Sequence, residues 1–367
     1  PHLTRRLIGA RMPLTVLTRS RRRAALGALA VAVATTTALT ACSSGSDASA
    51  SGTGEEGSFG EAAMQLSWVP HVEFAGEYLA DANGHFADAG FDSVALTPGG
   101  TGATGAETAI ASGSAFAGVS SPLITGPAIS EGAEMKIVGA TYQKNPFAIV
   151  SLTDAPIETP EDMVGKTIGV SDSNDLVWRA FLAANDIDES DVNRVPLTDS
   201  TLLTTGQVDG YIGYATAGAN TLNQRGFSAQ QFLLADTGLP MVGETIVVAQ
   251  ASIDDEREKV KALLFALVQG WQDAVADPEA TAETVVTDYA ADQNYKVEEQ
   301  AQVMVTQTEL ISTPETDENG LLTISDELQE QSVASLALTG IELDADELFD
   351  TTLIDEVYEE HPELLEG

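Results

Sequence analysis

Side chains that could bind a planar ring follow the predicted strands of this sequence. The segment Trp68–Phe74 carries an indole, the His71 imidazole and the Glu73 carboxylate directly after the first strand. The remaining candidate ligand-binding residues follow later strands or begin the next helix: Ser120, Ser121, Tyr142, Asn145, Ser171, Asn174, Trp178, Tyr214 and Glu244. Because ligands of α/β proteins bind outside the carboxyl ends of the strands, we expect these side chains to face one cleft.

The charge of these segments indicates which ligands they suit. They contain no arginine, and Lys144 is their only lysine. Oxyanions usually recruit arginine or the positive start of a helix. Aromatic faces beside amide, hydroxyl and carboxylate groups instead suit a planar heterocycle that is neutral or cationic.

Two glycine-containing motifs raise the possibility of a nucleotide site. Gly100–Gly105 matches the G-x-G-x-x-G pattern after a strand, but the acid expected about 20 residues later is replaced by Ser120-Ser121-Pro122. Gly165-Lys166-Thr167 resembles the end of a phosphate-binding loop, but it leads into a strand and lacks the first glycine. We interpret the first motif as a flexible turn and reject the second.

Residues for catalysis or metal binding are few. His71, His85 and His361 are too scattered to form a metal cluster, and no G-x-S-x-G motif is present. We therefore expect no catalytic residues, no metal and no cofactor.

Alternating strands and helices must position these residues. Strands are predicted at 64–69, 93–97, 115–119, 136–142 and 147–152, and a second series at 167–170, 193–197, 211–215 and 245–249. Apolar residues from Val260 to Val275 recur at helical spacing, and the chain beyond them reads as mostly helical. This pattern predicts an α/β protein with two successive sheets and a helical tail.

Composition narrows the class of protein further. After the seven arginines of residues 1–41, residues 42–367 hold ten basic and 56 acidic residues, a net charge of −46. So large a negative charge disfavours binding to nucleic acid or to an anionic membrane surface. The single cysteine, Cys42, excludes internal disulfides and an iron–sulfur cluster.

The amino-terminal region has the pattern of a secretory signal. Arg19–Arg23 is basic, and Ala24–Ala41 is an uncharged stretch of 18 residues that is marginal for spanning a membrane. Leu39–Cys42 resembles the lipobox of bacterial lipoproteins, in which the cysteine is lipidated. We expect a signal peptide at 1–41, lipidation of Cys42, and a flexible linker at 42–63 rich in Ser, Gly and acids.

Several segments in the expected order resemble one family of ABC-transporter solute-binding proteins. They are Trp68–Gly76, Tyr78–Ala80, Gly84–Phe86, Ala89–Asp92, Pro98–Gly100, Gln143–Phe147, Thr159–Lys166 and Gly206–Gly210. The family is the one related to thiamine-pyrimidine-precursor synthases and binding proteins, and the resemblance covers about Leu66 to Leu343. The synthase branch uses a cysteine-rich motif, which this chain lacks.

The resemblance implies a two-lobed periplasmic-binding-protein fold of type II, each lobe a mainly parallel sheet flanked by helices, with a helical carboxyl-terminal tail. We expect residues 64–145 and 250–367 to form lobe 1 and 146–249 to form lobe 2, with crossings near Asn145–Phe147 and Thr245–Gln250. In the family, aromatic residues stack the pyrimidine while Asn and acids bind its nitrogens. Trp68 and Tyr142 would stack it, and Glu73, Asn145 and Glu244 would orient it.

The resemblance also implies a role, a location and partners. We expect a lipid-anchored, monomeric protein on the extracytoplasmic face of the membrane, which delivers a thiamine-precursor aminopyrimidine to an ABC permease. Riboflavin or a sulfonate such as taurine is the alternative ligand, and a surface enzyme or a sensor is the alternative role.

Overall fold

A computed structural model describes residues 58–365, and these residues belong to one compact unit. The predicted signal peptide at 1–41, Cys42 and most of the predicted linker lie outside the described residues. The end of the linker prediction is wrong, because Gly60–Gln65 is a strand of the first sheet. The Phe59 ring packs 5.6 Å from the Phe91 ring and anchors the start of this strand. In the described part of the chain, no helix is long and apolar enough to cross a membrane.

Ten strands form two five-stranded sheets in the described chain. They are β1 (Gly60–Gln65), β2 (Phe91–Thr97), β3 (Ala117–Ser120), β4 (Met135–Tyr142), β5 (Phe147–Leu152), β6 (Thr167–Val170), β7 (Asn193–Pro196), β8 (Gly210–Tyr214), β9 (Ala229–Leu233) and β10 (Gly243–Ala249). The first sheet has the order β2-β1-β3-β10-β4 and the second has the order β7-β6-β8-β5-β9. The two sheets confirm the predicted α/β class with two lobes.

Both sheets are mixed, which corrects the expectation of mainly parallel sheets. In the first sheet β1 pairs in parallel with β2 and β3, whereas β10 is antiparallel to β3 and β4. In the second sheet β6 is parallel to β7 and β8, whereas β5 is antiparallel to β8 and β9. The antiparallel strands are those next to the two crossings between the sheets, where the chain enters each sheet from the other.

The return crossing lies earlier than the sequence predicted. The sequence predicts β10 in lobe 2 with a crossing near Thr245–Gln250, but the strand is hydrogen-bonded between β3 and β4 of the first sheet. The chain therefore returns between the end of β9 at Leu233 and Gly243. The apolar run of β10 does not reveal its partners, because both faces of the strand are buried.

Helices cover both sheets. They are α1 (Ala75–Ala82), α2 (His85–Asp88), α3 (Ala106–Ala111), α4 (Pro122–Ser130), α5 (Asp175–Ala184), α6 (Thr201–Thr204), α7 (Gly218–Gln224), α8 (Gln250–Asp255), α9 (Arg257–Ala276), α10 (Pro278–Thr284), α11 (Val297–Ile311), α12 (Pro314–Asn319), α13 (Asp326–Ala337), α14 (Ala345–Leu348) and α15 (Thr352–Glu360). The helical tail beyond β10 packs on the first sheet, as predicted.

Two glycines let α1 and α9 lie unusually close together. A Cβ atom on Gly76 would sit 2.3 Å from the Trp271 ring, and one on Gly270 would sit 2.1 Å from the Gly76 carbonyl oxygen. Only glycine fits at either position, because no other residue lacks a Cβ atom. This close packing fixes the start of α1, which carries one of the acids described below and directly follows the turn that carries another.

Candidate functional site

Glu244 lies at the start of β10, where the two lobes meet. Its Oε2 accepts a hydrogen bond of 3.2 Å from Ser67 Oγ, which follows β1 in the first lobe. Its Oε1 accepts one of 3.4 Å from the hydroxyl of Tyr214, the last residue of β8 in the second lobe. The carboxyl group of Glu244 thus contacts residues of both lobes.

The backbone of Glu244 is strained. Its φ angle is +46°, in the left-handed region that costs residues with a Cβ atom about 1–2 kcal/mol. Such strain persists only where the surrounding structure imposes it, and it clusters at functional sites. The strained backbone is therefore an independent sign that Glu244 has a role beyond packing.

A short 3-10 turn, Val72–Phe74, holds Glu73 in place. Two glutamines of α11 bind the peptide groups of Val72: Gln300 Oε1 accepts from its N–H at 3.3 Å, and Gln307 Nε2 donates to its carbonyl oxygen at 2.8 Å. The two glutamines are seven positions apart, so they lie two turns apart on the same face of α11. Helix α11 thereby fixes the turn that carries His71 and Glu73.

Glu77, one helical turn after Glu73, completes a buried group of three acids. We call Glu73, Glu77 and Glu244 the acid cluster; each is less than a tenth exposed. Burial is the main cause that raises all three pKa values, with repulsion between the acids adding to it for Glu73 and Glu77. The pKa of Glu73 lies well above its usual range, that of Glu77 rises to about 8 and that of Glu244 rises to about 7.

Two tyrosines flank the acid cluster. The buried Tyr142, at the end of β4, donates a hydrogen bond of 2.8 Å to Gln307 Oε1. The Tyr214 ring packs edge-on against Phe147, with centroids 4.7 Å apart. Burial first, and then the negative charge of Glu73 and Glu244, raises the pKa of both tyrosines well above the usual value, so both remain neutral hydrogen-bonding groups.

Asn145 lies at the first crossing between the sheets. Its Oδ1 accepts a hydrogen bond of 3.0 Å from the Phe147 N–H, while its buried Nδ2 has no partner in the described structure. An amide with one free buried donor suits a ligand contact, since leaving such a donor unbonded costs about 1–3 kcal/mol.

The structure brings together only some of the predicted site residues. His71, Glu73, Tyr142, Tyr214 and Glu244 form or border the acid cluster.

The other predicted residues of the first lobe lie around this group. Trp68 is 48% exposed, and Phe74 is fully buried in the hydrophobic core. Ser120 donates its hydroxyl to the Glu107 carboxylate, and Ser121 precedes α4 without capping it.

The predicted residues of the second lobe contact one another or its core. Ser171 and Asn174 each lie within hydrogen-bond distance of the exposed Ser173 hydroxyl. Trp178 is fully buried among apolar side chains, although its indole N–H has no partner in the described structure. None of the three contacts the acid cluster.

Sequence reasoning missed four residues that build the site: Ser67, Glu77, Gln300 and Gln307. The spacing of Glu73 and Glu77, four residues apart at a helix start, was a usable signal. No comparable signal pointed to Gln300 and Gln307, because α11 is far from Glu73 in the chain and its polar residues resemble those of a solvent-facing helix side.

The acid cluster has the chemistry of a site for a cation or for a donor of several hydrogen bonds. No lysine or arginine contributes to the pKa of its members among the residues described. Nor does any group of His, Cys, Asp and Glu in residues 58–365 have the arrangement of a metal site. A bound anion would lie against carboxyl groups here, and their negative charge would oppose its own.

Similarity to known proteins agrees with this architecture. The NMT1/THI5 like family matches residues 71–281, more than half of the chain. The riboflavin-binding protein RibY of Chloroflexus aurantiacus is 27% identical over 232 residues, which are 60% of this chain and 64% of that protein. This chain therefore spans less than two thirds of the length of that relative.

A second relative and a solved structure extend the comparison. The formylaminopyrimidine-binding protein of Halalkalibacterium halodurans is 22% identical over 233 residues, covering 61% of this chain and 69% of that protein. The periplasmic aliphatic sulphonate binding protein SsuA of Escherichia coli superposes with a TM-score of 0.62 at 12% identity, over 79% of this chain and 92% of that one. The superposition establishes the periplasmic-binding-protein fold.

Proposed function

Because the chain belongs to the NMT1/THI5-like family, we propose that it is the solute-binding protein of an ABC importer and that it captures a thiamine-precursor aminopyrimidine. The protein is not an enzyme in this proposal. It works as a monomer outside the cytoplasmic membrane, held there by a lipid on Cys42, and delivers the solute to a permease.

The observation that carries the proposal is the position of Glu244 between the lobes. Ser67 contacts it from the first lobe and Tyr214 from the second. A solute bound to this carboxyl group would touch both lobes and would stabilise the closed arrangement. Closure needs only this differential affinity for the closed state.

The acid cluster supports an aminopyrimidine over a sulfonate. An amino group donates to a carboxyl oxygen, a ring nitrogen accepts from a protonated carboxyl group, and the Tyr142 and Tyr214 rings offer apolar faces nearby. Asn145 adds a free donor at the crossing. A sulfonate carries a full negative charge and would need a cation that none of these groups supplies.

Riboflavin is the second candidate, and the RibY relative is the reason for it. Its ring system is planar and neutral, and its imide N–H could donate to a carboxylate. It is larger than a single pyrimidine and must enter a site whose acids are almost fully enclosed.

A thermal-shift panel on the full chain tests the proposal with hydroxymethylpyrimidine, its formylamino precursor, thiamine, riboflavin, taurine and nitrate. A ligand at a hundred times its dissociation constant adds about 2.7 kcal/mol of stability, a shift of at most several degrees at this size. We expect a pyrimidine to stabilise the protein. Glu244→Gln should weaken this stabilisation, whereas Glu318→Gln should leave it unchanged because Glu318 is exposed on α12. If only riboflavin raised the unfolding temperature, riboflavin would replace the pyrimidine as the proposed ligand. A rise in unfolding temperature with taurine or nitrate would refute the argument from charge.

A further inference from the structure

The buried carboxyl groups of Glu73 and Glu244 lie within reach of a hydrogen bond to each other, Glu244 between Ser67 and Tyr214 and Glu73 beside His71. Ionised carboxylates only accept hydrogen bonds, so such a pair requires a proton on one of its members. The pair is enclosed, because Glu73 is 7% and Glu244 is 4% exposed. Two like charges in contact and away from water cannot both be ionised without a large cost.

His71 does not supply the missing positive charge. Its Nδ1 accepts a hydrogen bond of 3.2 Å from the Glu73 N–H, so this nitrogen carries no proton. The ring proton must therefore sit on Nε2, which lies 3.3 Å from Glu73 Oε2 and donates toward it. Burial lowers the pKa of His71 to about 4, so the ring is neutral at physiological pH.

The other titratable groups that face the pair are also uncharged or acidic. Glu77 approaches from α1, Tyr142 from β4, Tyr214 from β8, and Tyr295 from the segment before α11. No lysine or arginine is among the charged groups that influence the pair in residues 58–365. Among the residues that the structure describes, the proton is therefore the only positive charge that neutralises the pair.

We propose that the Glu73–Glu244 pair holds one shared proton in the free protein and gives it up when the solute binds, so that the cleft selects a basic heterocycle. This inference rests on the proposed function and specifies the charge of its ligand. When the solute enters neutral, the O–H bond of the carboxyl group breaks and an N–H bond forms on a ring nitrogen. The electron pair stays on the carboxylate, which leaves a buried ion pair.

A solute that is already protonated when it enters the cleft forms the same buried ion pair, but the proton is exchanged differently. The cation replaces the shared proton, which leaves to solvent, so one proton is released for each solute bound. In this regime the affinity rises with pH by up to about tenfold per pH unit. Riboflavin has no comparably basic ring nitrogen, and a sulfonate has none, so proton exchange also distinguishes the candidate ligands.

Calorimetry with hydroxymethylpyrimidine on the full chain tests the proton exchange. Titrations in two buffers of different ionisation enthalpy, acetate and piperazine at pH 5 and phosphate and Tris at pH 8, give the number of protons released from the difference in binding enthalpy between the two buffers. We expect release at the acidic end, where the pyrimidine is a cation, and little net exchange at the basic end. The release at the acidic end should be lost in the double variant Glu73→Gln/Glu244→Gln, because neither glutamine can hold the proton, and Glu318→Gln should leave it unchanged.

The outcomes separate this inference from the proposed function. Tight binding with equal enthalpies in both buffers at both pH values would overturn the shared proton while leaving pyrimidine capture intact. Failure of the wild-type protein to bind any pyrimidine would overturn the ligand assignment and, with it, the transfer to a ring nitrogen.

Infrared spectroscopy tests the shared proton without any ligand. In a Glu77→Gln background, which removes the third acid, the C=O stretch of a protonated carboxyl group should be present at pH 7. It should shift on adding either Glu73→Gln or Glu244→Gln and should be lost when both are added, because burial raises the pKa of each acid by itself. Absence of the band in the background protein would refute the shared proton directly.

Discussion

Glu77 should destabilise the folded protein as the pH rises, and replacing it by glutamine should remove this effect. Its carboxyl group is 1% exposed, and its Oε2 has no hydrogen-bond partner in the described structure. Burial is the main cause that raises the pKa from the usual 4.5 to about 8, and the nearby Glu244 charge adds to it. The folded state therefore holds a proton here that the unfolded chain releases.

The sign and the size of the effect follow from proton linkage. An acid whose pKa is higher in the folded state contributes stability that is fully present below the unfolded pKa and is lost as the pH rises through the folded pKa. For Glu77 that window runs from about 4.5 to about 8. Between pH 5.5 and pH 7.5 the loss amounts to about 2.5 kcal/mol.

Urea unfolding of wild-type protein and Glu77→Gln across this pH range measures the loss. Glutamine mimics the protonated acid in size and does not titrate, so the difference between the two proteins isolates Glu77 from the other acids. We expect the variant to gain about 2.5 kcal/mol relative to wild type between pH 5.5 and pH 7.5. Glu318→Gln, at an exposed position, is the matched control and should show no comparable trend. A constant difference between wild type and Glu77→Gln would refute the reasoning.

Three further substitutions test the site. Trp68→Ala should weaken solute binding by about 1–3 kcal/mol in calorimetry if the exposed ring stacks on the solute, and unchanged affinity with unchanged stability would remove Trp68 from the site. Tyr214→Phe deletes the hydroxyl that donates to Glu244, and should weaken binding by about 0.5–1.5 kcal/mol while the urea midpoint stays close to wild type. Glu244→Gly should be more stable than Glu244→Ala by about 1 kcal/mol, although glycine is the more flexible residue, because only glycine adopts the backbone angle of +46° without strain. Equal stability of these last two variants would contradict the strain argument.

The sequence determined the fold class and most of the strands. Strands β5 and β6 lie at the predicted residues, because short β-branched runs bounded by turn residues identify a strand locally. Strand β9, Ala229–Leu233, was missed because its residues Gln230 and Gln231 interrupt the apolar pattern. Its place at the edge of the second sheet comes from pairing with β5.

The sequence also identified the chemistry of the site, but it did not identify all of its members. Glu73, Tyr142 and Glu244 could be chosen because each lies at or near the end of a strand, and strand ends are local features. The pairing of Glu73 with Glu244 and the support from Gln300 and Gln307 depend on contacts between residues more than 160 positions apart.

Only the tertiary structure decided the charge state of the acids. A glutamate on a solvated surface keeps a pKa near its usual value, and nothing in the local sequence of Glu73 or Glu244 shows that water is excluded. Burial of the pair against Tyr142 and Tyr214, with no lysine or arginine among the described neighbours, raises both pKa values. The sequence by itself determined which carboxyl groups lie at strand ends, and the packing of two lobes around them determined that they hold a proton, because desolvation acts through the whole surrounding fold.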